Sequence, residues 1–388
     1  MRPMSTVPRS RDAPLGPVRL PSHRRMNRGE GGNFVPEIKP GPTLRVAVCV
    51  PMCGLEGIWG PSCIASAELA VSELNTQHGI IGRPCEVLLI DASEQAIDLG
   101  ETLIDLVDHG EVDALVGMHI SSVRQRITAA VGGRLPYVYP CLYEGGDTTP
   151  GLYAIGETAE RQLRPAIAWL AEHRMCKRWM LVGNDYVWPR VSHAIARDCI
   201  AEFGGEVIAE TYVPFGADDY SQIFDRVRAS RCDAVLVSVV GQDAVEFNRG
   251  FARAGLHRDV LRLSCAIEEN QLLAIGAQGT EGLHVALGYF GVLDTNANGA
   301  FKERYHSHFG ERAPTLNSIG QSVYEGMHFL AALLEDHEAA RRAYRRGVAR
   351  PLVYPSARIG SKVDATRSGP PMYLARAEGH LFHVIAQL

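Results

Sequence analysis

No stretch of this chain has the ~20 consecutive apolar residues that a membrane-spanning helix needs, so a membrane-embedded protein is not expected. Neither sign of charge is in excess: 39 basic and 44 acidic residues leave a net charge of −5. Such a balance gives no global attraction to nucleic acid or to an anionic membrane, and neither is expected as a partner. The nine cysteines contain no CxxC pair. Most sit inside apolar runs such as RVAVCVP and RCDAVLVS, where a free thiol behaves as a small hydrophobe. Reduced core thiols in a cytosolic protein are the expectation.

Residues 1–42 are rich in proline, arginine and glycine and hold no apolar segment of the ~7–15 residues that a secretory signal requires. A disordered tail is expected there, and a cytoplasmic location for the protein.

From Leu44 the composition changes. LRVAVCV is a continuous apolar run, followed by the glycine-containing loop GLEGIWG, read as a tight turn. PSCIASAELAVSELNTQ then places apolar residues at helical spacing. CEVLLIDA is a second strand. The alternation continues with a helix over about 95–109, strand VDALVGM, a helix over about 121–132 and strand PYVYP. A second series has helices over 159–173, 189–203, 219–230 and 243–254. Its strands are KRWMLVGN, EVIAETYV, CDAVLVSVV and DVLRLS. Apolar strands alternating with amphipathic helices imply parallel sheets covered on both faces. The fold class is therefore α/β, with two doubly wound parallel-sheet lobes and a ligand cleft between them. The site is expected in the loops at the carboxyl ends of the strands.

Motifs for catalysis are wanting. GxGxxG, the Walker loop, HExxH and GxSxG are all absent. His306, His308 and Glu311 lie on a polar helix face and are read as solvated surface. Cys141 follows a strand, but no motif pairs it with a histidine and a carboxylate. No cofactor, no metal and no enzymatic activity are expected.

The segments ELNTQHGIIGRPCEVLLIDA, VGMHISSVRQRI, YVYPCLYEG, VGNDYVWPR and VLVSVVG resemble, in order and spacing, the type I periplasmic-binding-protein fold. They are most similar to the branch holding the cytoplasmic amide sensor that regulates aliphatic amidase, regulators in nitrile hydratase gene clusters, and urea-binding proteins of ABC transporters. The resemblance covers about residues 44–345. It implies a ligand-binding serine at Ser121, with Ser122 beside it at a helix start, and pocket tyrosines at Tyr139 and Tyr186. His119 stands where the amide sensor has tyrosine, and Cys141 and Leu142 where it has threonine and proline. Ala266 lies in a strand end that is richer in hydroxyls in that branch. These replacements make the wall more apolar, which implies a small neutral amide-like ligand with an apolar part.

The resemblance also implies the lobe boundaries: 44–155 plus 284–345 for the first, 156–283 plus 346–388 for the second. It implies a sensor controlling an amidase or nitrile hydratase operon by lobe closure, with a regulatory protein partner and homodimers. The alternative is the solute receptor of a urea, amide or branched-chain amino-acid ABC transporter.

Overall fold

Central strands buried along nearly their whole length, instead of on alternate residues, organise this computed structural model. It describes residues 38–343, 353–358, 362–364 and 371–388. The tail expected over 1–42 lies, up to residue 37, outside the described residues.

The first lobe is built on β1 (Leu44–Val50), β2 (Cys85–Asp91), β3 (Ala114–Gly117), β4 (Tyr137–Tyr139) and β5 (Leu152–Ala154), in the order β2-β1-β3-β4-β5. All four pairings are parallel. In β1 every residue except Arg45 is buried, because helices cover both faces of a parallel sheet. Those helices are α1 (Gly60–Thr76), α2 (Leu99–Asp108) and α3 (Ser121–Val131).

The second lobe opens with α4 (Ala159–His173). Glu160 in its first turn and His173 in its last complement the helix dipole. There follow β6 (Arg178–Asn184), α5 (Val187–Glu202), β7 (Glu206–Val213), α6 (Ser221–Ser230), β8 (Ala234–Ser238), α7 (Gly241–Arg253) and β9 (Leu261–Ser264). The chain continues through α8 (Glu269–Ile275), α9 (Ala277–Thr280) and β10 (Leu283–Leu287). It then returns to the first lobe, where α10 (Asn296–Phe309) and α11 (Ser318–Ala343) pack on α1. A small antiparallel pair, β11 (Val353–Pro355) and β12 (Lys362–Asp364), places β11 against α11. The last strands, β13 (Tyr373–Glu378) and β14 (Leu381–Gln387), extend the second sheet.

That sheet has seven strands in the order β14-β13-β10-β9-β8-β6-β7. Its body is parallel, while β13 pairs antiparallel with both β10 and β14. Two details depart from the expected lobe boundaries. β10 hydrogen-bonds to β9, so the crossing near residue 284 falls after this strand. β11 rests on α11 of the first lobe, while β13 and β14 join the second sheet, so the described residues after 346 serve both lobes.

The crossovers meet at one buried point. Glu157 lies in the first, between β5 and α4; Gly288 follows β10 in the second; Arg358 lies in the third. The Arg358 guanidinium is ion-paired with Glu157 and, through Nε, 3.0 Å from a carboxylate oxygen of Glu325 on α11. The same Nε donates to Gln321 Oε1 at 3.0 Å. A β-carbon at residue 288 would overlap both Glu157 and Arg358, so only glycine fits beside this pair.

One guanidinium is shared by two buried carboxylates, and burial pushes the Glu325 carboxyl up to about 7. An acid whose folded value is raised contributes stability below its unfolded value, lost as pH rises through the folded one. The difference in urea midpoint between Glu325→Gln and wild type should therefore move in the variant's favour as pH rises from about 5 to about 8. A difference that stays flat over this range would show that Glu325 keeps its charge throughout.

Candidate functional site

Open parallel sheets leave a crevice beyond the carboxyl ends of their strands, and here two such ends face each other. The loop after β1 supplies Trp59, and the β3–α3 junction supplies Met118, His119, Ile120 and Ser121. Tyr139 ends β4, and Cys141 and Leu142 follow it. From the second lobe come Tyr186 and Trp188 after β6, Val240 after β8 and Ala266 after β9, while Ile319 starts α11. Together they enclose a narrow cavity of about 30 Å³ within about 350 Å³ of atom-free space.

The lobes touch directly at its edge. The Leu55 carbonyl accepts the Gln242 N–H at 2.8 Å, and Ile58 O accepts from Asn270 Nδ2 at 2.7 Å. Gly241 has φ +58°, and any β-carbon there would press into the Leu55 carbonyl. The loop GLEGIWG, read from sequence as a turn, is thus a latch between lobes as well.

Ser121 is the first residue of α3 and is 2% exposed. Ile120, in extended conformation, is the cap residue, and no side chain caps this helix. The first intrahelical bond runs from Arg124 N to Ile120 O, so the N–H groups of Ser121, Ser122 and Val123 have no partner within the helix. The Ser121 hydroxyl accepts one long bond, 3.4 Å, from Arg124 Nη1. Ser122, expected beside it in the pocket, is turned away. Its hydroxyl donates to Glu94 at 2.9 Å, and it does not line the cavity. Successive helical residues project about 100° apart, which separates these two serines.

Tyr139 presents only its ring. Its hydroxyl donates to the His119 carbonyl at 2.6 Å and is not free for a ligand. His119 is fully committed too: one ring nitrogen lies 2.9 Å from the Tyr137 hydroxyl, the other 3.2 Å from Ile120 O. Burial lowers its pKa to about 3, so the ring is neutral. The Cys141 thiol, pushed by burial up to about 11, points 3.5 Å from the His119 carbonyl and is no thiolate nucleophile.

Tyr186 stands at the start of α5 with its ring 5.2 Å from Phe215, and its hydroxyl has no hydrogen-bond partner among the described residues. The indole N–H groups of Trp59 and Trp188 are buried and likewise without partners. No carboxylate lines the cavity. The nearby Glu268 is occupied structurally: it caps α8 reciprocally with Gln271 and accepts the Ser318 N–H at 3.0 Å, joining the two lobes.

Seven of the eight residues singled out from sequence line the cavity: His119, Ser121, Tyr139, Cys141, Leu142, Tyr186 and Ala266. Trp59, Met118, Ile120, Trp188, Val240 and Ile319 were not among them. Trp59 and Trp188 carried a signal, since each is a tryptophan a few residues beyond a strand's carboxyl end, where open parallel sheets place their sites. Among the described residues no group of His, Cys, Asp or Glu is placed to hold a metal ion. His306 and His308 are exposed on α10. No helix of the described residues is long and apolar enough to cross a membrane.

A family model described as periplasmic binding protein matches residues 43–369. Among solved structures, the chain is similar to an ABC-transporter solute binding protein from Rhodopseudomonas palustris in complex with 3,4-dihydroxybenzoic acid. The TM-score is 0.75 at 19% identity, covering 90% of this chain and 98% of that one. A branched-chain amino acid transporter substrate binding protein from Streptococcus pneumoniae, in complex with isoleucine, gives 0.73 at 17%, covering 89% and 98%. A periplasmic binding protein from Burkholderia mallei gives 0.73 at 17%, covering 89% and 95%. At these identities the structures share the fold.

All nine cysteines are free, and only Cys53 is exposed. A thiol reagent should therefore modify one site in the native protein and nine after denaturation. Peptide mapping that finds Cys141 modified as fast as Cys53 would contradict the closed cavity.

Proposed function

Because the chain belongs to the periplasmic binding protein family, we propose that it is a receptor that closes its lobes over one small molecule. The ligand has an apolar body and a hydrogen-bond-accepting head, a carboxylate or an amide carbonyl. The imbalance of polar groups carries this reading. The cavity offers donors: the first-turn N–H groups of α3, the Ser121 and Tyr186 hydroxyls, and the indole N–H groups of Trp59 and Trp188. Helix starts add partial positive charge. With no carboxylate on the wall, an ammonium group would be left unpaired, which disfavours free amino acids.

Delivery of a solute to an ABC transporter is the role that best fits. Its support is the similarity to solute binding proteins whose bound ligands include aromatic acids. The second reading is a cytoplasmic amide sensor acting on an amidase or nitrile hydratase operon through a protein partner. It draws on VGNDYVWPR and YVYPCLYEG, which contribute Tyr186, Trp188, Tyr139, Cys141 and Leu142 to the cavity. Both roles use the same capture step.

A bound ligand raises the melting temperature by mass action. In a thermal-shift panel, small carboxylates and amides with apolar bodies should stabilise the protein, and free amino acids should not. Ser121→Ala should weaken the best binder by about 1–3 kcal/mol, roughly tenfold to a hundredfold. Tyr186→Phe should weaken it and reduce ligand-induced compaction in X-ray scattering. Stabilisation by amino acids alone, or normal binding by both variants, would place the head group elsewhere.

A further inference from the structure

Behind the cavity wall stands a charged group that does not itself line the cavity. Arg124, on α3, is 2% exposed and lies one layer back from the lining residues. Its guanidinium is 5.3 Å from the centre of the Tyr139 ring and 5.6 Å from that of Tyr143. Two carboxylates from the loop after β4 hold it. Glu144 accepts from Nη2 at 2.6 Å and from Nη1 at 3.3 Å, and Asp147 accepts from Nε at 3.2 Å. Nη1 also donates to the Ser121 hydroxyl oxygen, at 3.4 Å. Residues three apart on a helix share a face, which is why this side chain can reach that serine.

The contact decides which way the hydroxyl can act. A serine hydroxyl has one hydrogen to give and two lone pairs to receive, whereas a guanidinium only gives. With Arg124 on one lone pair, the serine hydrogen must point elsewhere, and the hydroxyl makes no other bond among the described residues. Ser121 lines the cavity, so a ligand atom is the partner open to that hydrogen. An accepting head completes a chain from Arg124 through Ser121 to the ligand, in which each bond polarises the next. A donating head could use only the second lone pair, and the serine hydrogen would then be buried without an acceptor. The single positive charge of Arg124 is already faced by two carboxylates. What it passes to the cavity is therefore the direction of a hydrogen bond and not a field of charge.

We propose that Arg124 is a positioning residue that sets the ligand specificity without touching the ligand, by holding the Ser121 hydroxyl as a donor. The proposal rests on the reading of the main cavity as the ligand site. Glu144 and Asp147 keep the guanidinium in place, so the loop after β4 and the start of α3 act as one unit. The preference that results is for an accepting head, neutral or anionic alike.

Calorimetric titration of the purified protein with benzamide and with benzoate tests this, because the two share an apolar body and an accepting head and differ in charge. Ser121→Ala should weaken both about tenfold or more. Arg124→Met, made together with Glu144→Gln so that this carboxylate is not stranded, should weaken both by the same factor, about threefold to tenfold. In the Ser121→Ala background the same pair of substitutions should change either affinity by less than about twofold, because no hydroxyl is left to orient. A loss that persists undiminished in that background, or one confined to benzoate, overturns the inference and leaves the cavity as the ligand site. Neutron diffraction from wild-type crystals exchanged into heavy water reads the same point without any substitution. The Ser121 deuteron should lie on the cavity side, with an Arg124 deuteron directed at its oxygen; a Ser121 deuteron turned to a backbone carbonyl overturns the inference. Failure of wild type to bind either probe, or binding by Ser121→Ala as tight as wild type, overturns the reading of the cavity and this inference with it.

Discussion

The three crossovers between the lobes meet at a single buried guanidinium. Arg358 comes from the third crossover, reaches Glu157 in the first, and lies against Gly288 in the second. Through Glu325 and Gln321 it is fastened to α11, the helix that packs along α1 of the first lobe. A buried charge is costly unless paired and hydrogen-bonded, and here two carboxylates and an amide oxygen surround it. Burial still lowers the Arg358 pKa to about 10. A joint of this kind ties the crossovers together at one point between the lobes.

Closure brings together groups that the joint keeps on separate bodies. Ser121 and Tyr139 belong to the first lobe, Tyr186 and Trp188 to the second, and all four line the same cavity. The latch beside it uses backbone: Leu55 O with Gln242 N, and Ile58 O with the Asn270 side chain. Backbone contacts of this sort stabilise closure with or without a ligand, so the ligand need supply only part of the closing free energy. The apparent affinity equals the intrinsic affinity multiplied by the fraction already closed. Residues at the latch thus act on binding without touching the ligand.

The parallel strands and their covering helices were legible because burial on both faces writes a continuous apolar run into the sequence. The helix over 159–173 and the strand over 206–213 coincide with the observed elements. Less legible was everything whose partner is distant along the chain. β13 and β14 alternate where the other strands run apolar, and nothing local announces that they join β10 to make a mixed sheet. Tyr139 and Ser122 show the same limit at the level of single groups. Sequence placed both near the site, but the Tyr139 hydroxyl is taken by the carbonyl of His119, and Ser122 by Glu94. Hinge residues are invisible for the same reason: Glu157, Glu325 and Arg358 are far apart in sequence, and each alone reads as surface charge.

Hydrogen-bonding capacity, more than shape, sets the selectivity of this cavity. Acceptors on the cavity wall are engaged within the protein: His119 O by Tyr139 and the His119 ring by Tyr137. What remains free is donors on a wall of Leu142, Val240, Ala266, Ile319 and aromatic faces. Such a wall cannot strongly distinguish ligands by the size of their apolar part, because one methylene changes binding only by about 1–3 kcal/mol. It discriminates between heads, since a ligand donor facing the helix-start and indole N–H groups would lose its hydration and gain nothing, and only the Ser121 and Tyr186 hydroxyls could accept from it. The cavity's donors lie at helix starts and on indole rings, so recognition of a head group does not draw on Cys141, Leu142 or Ala266.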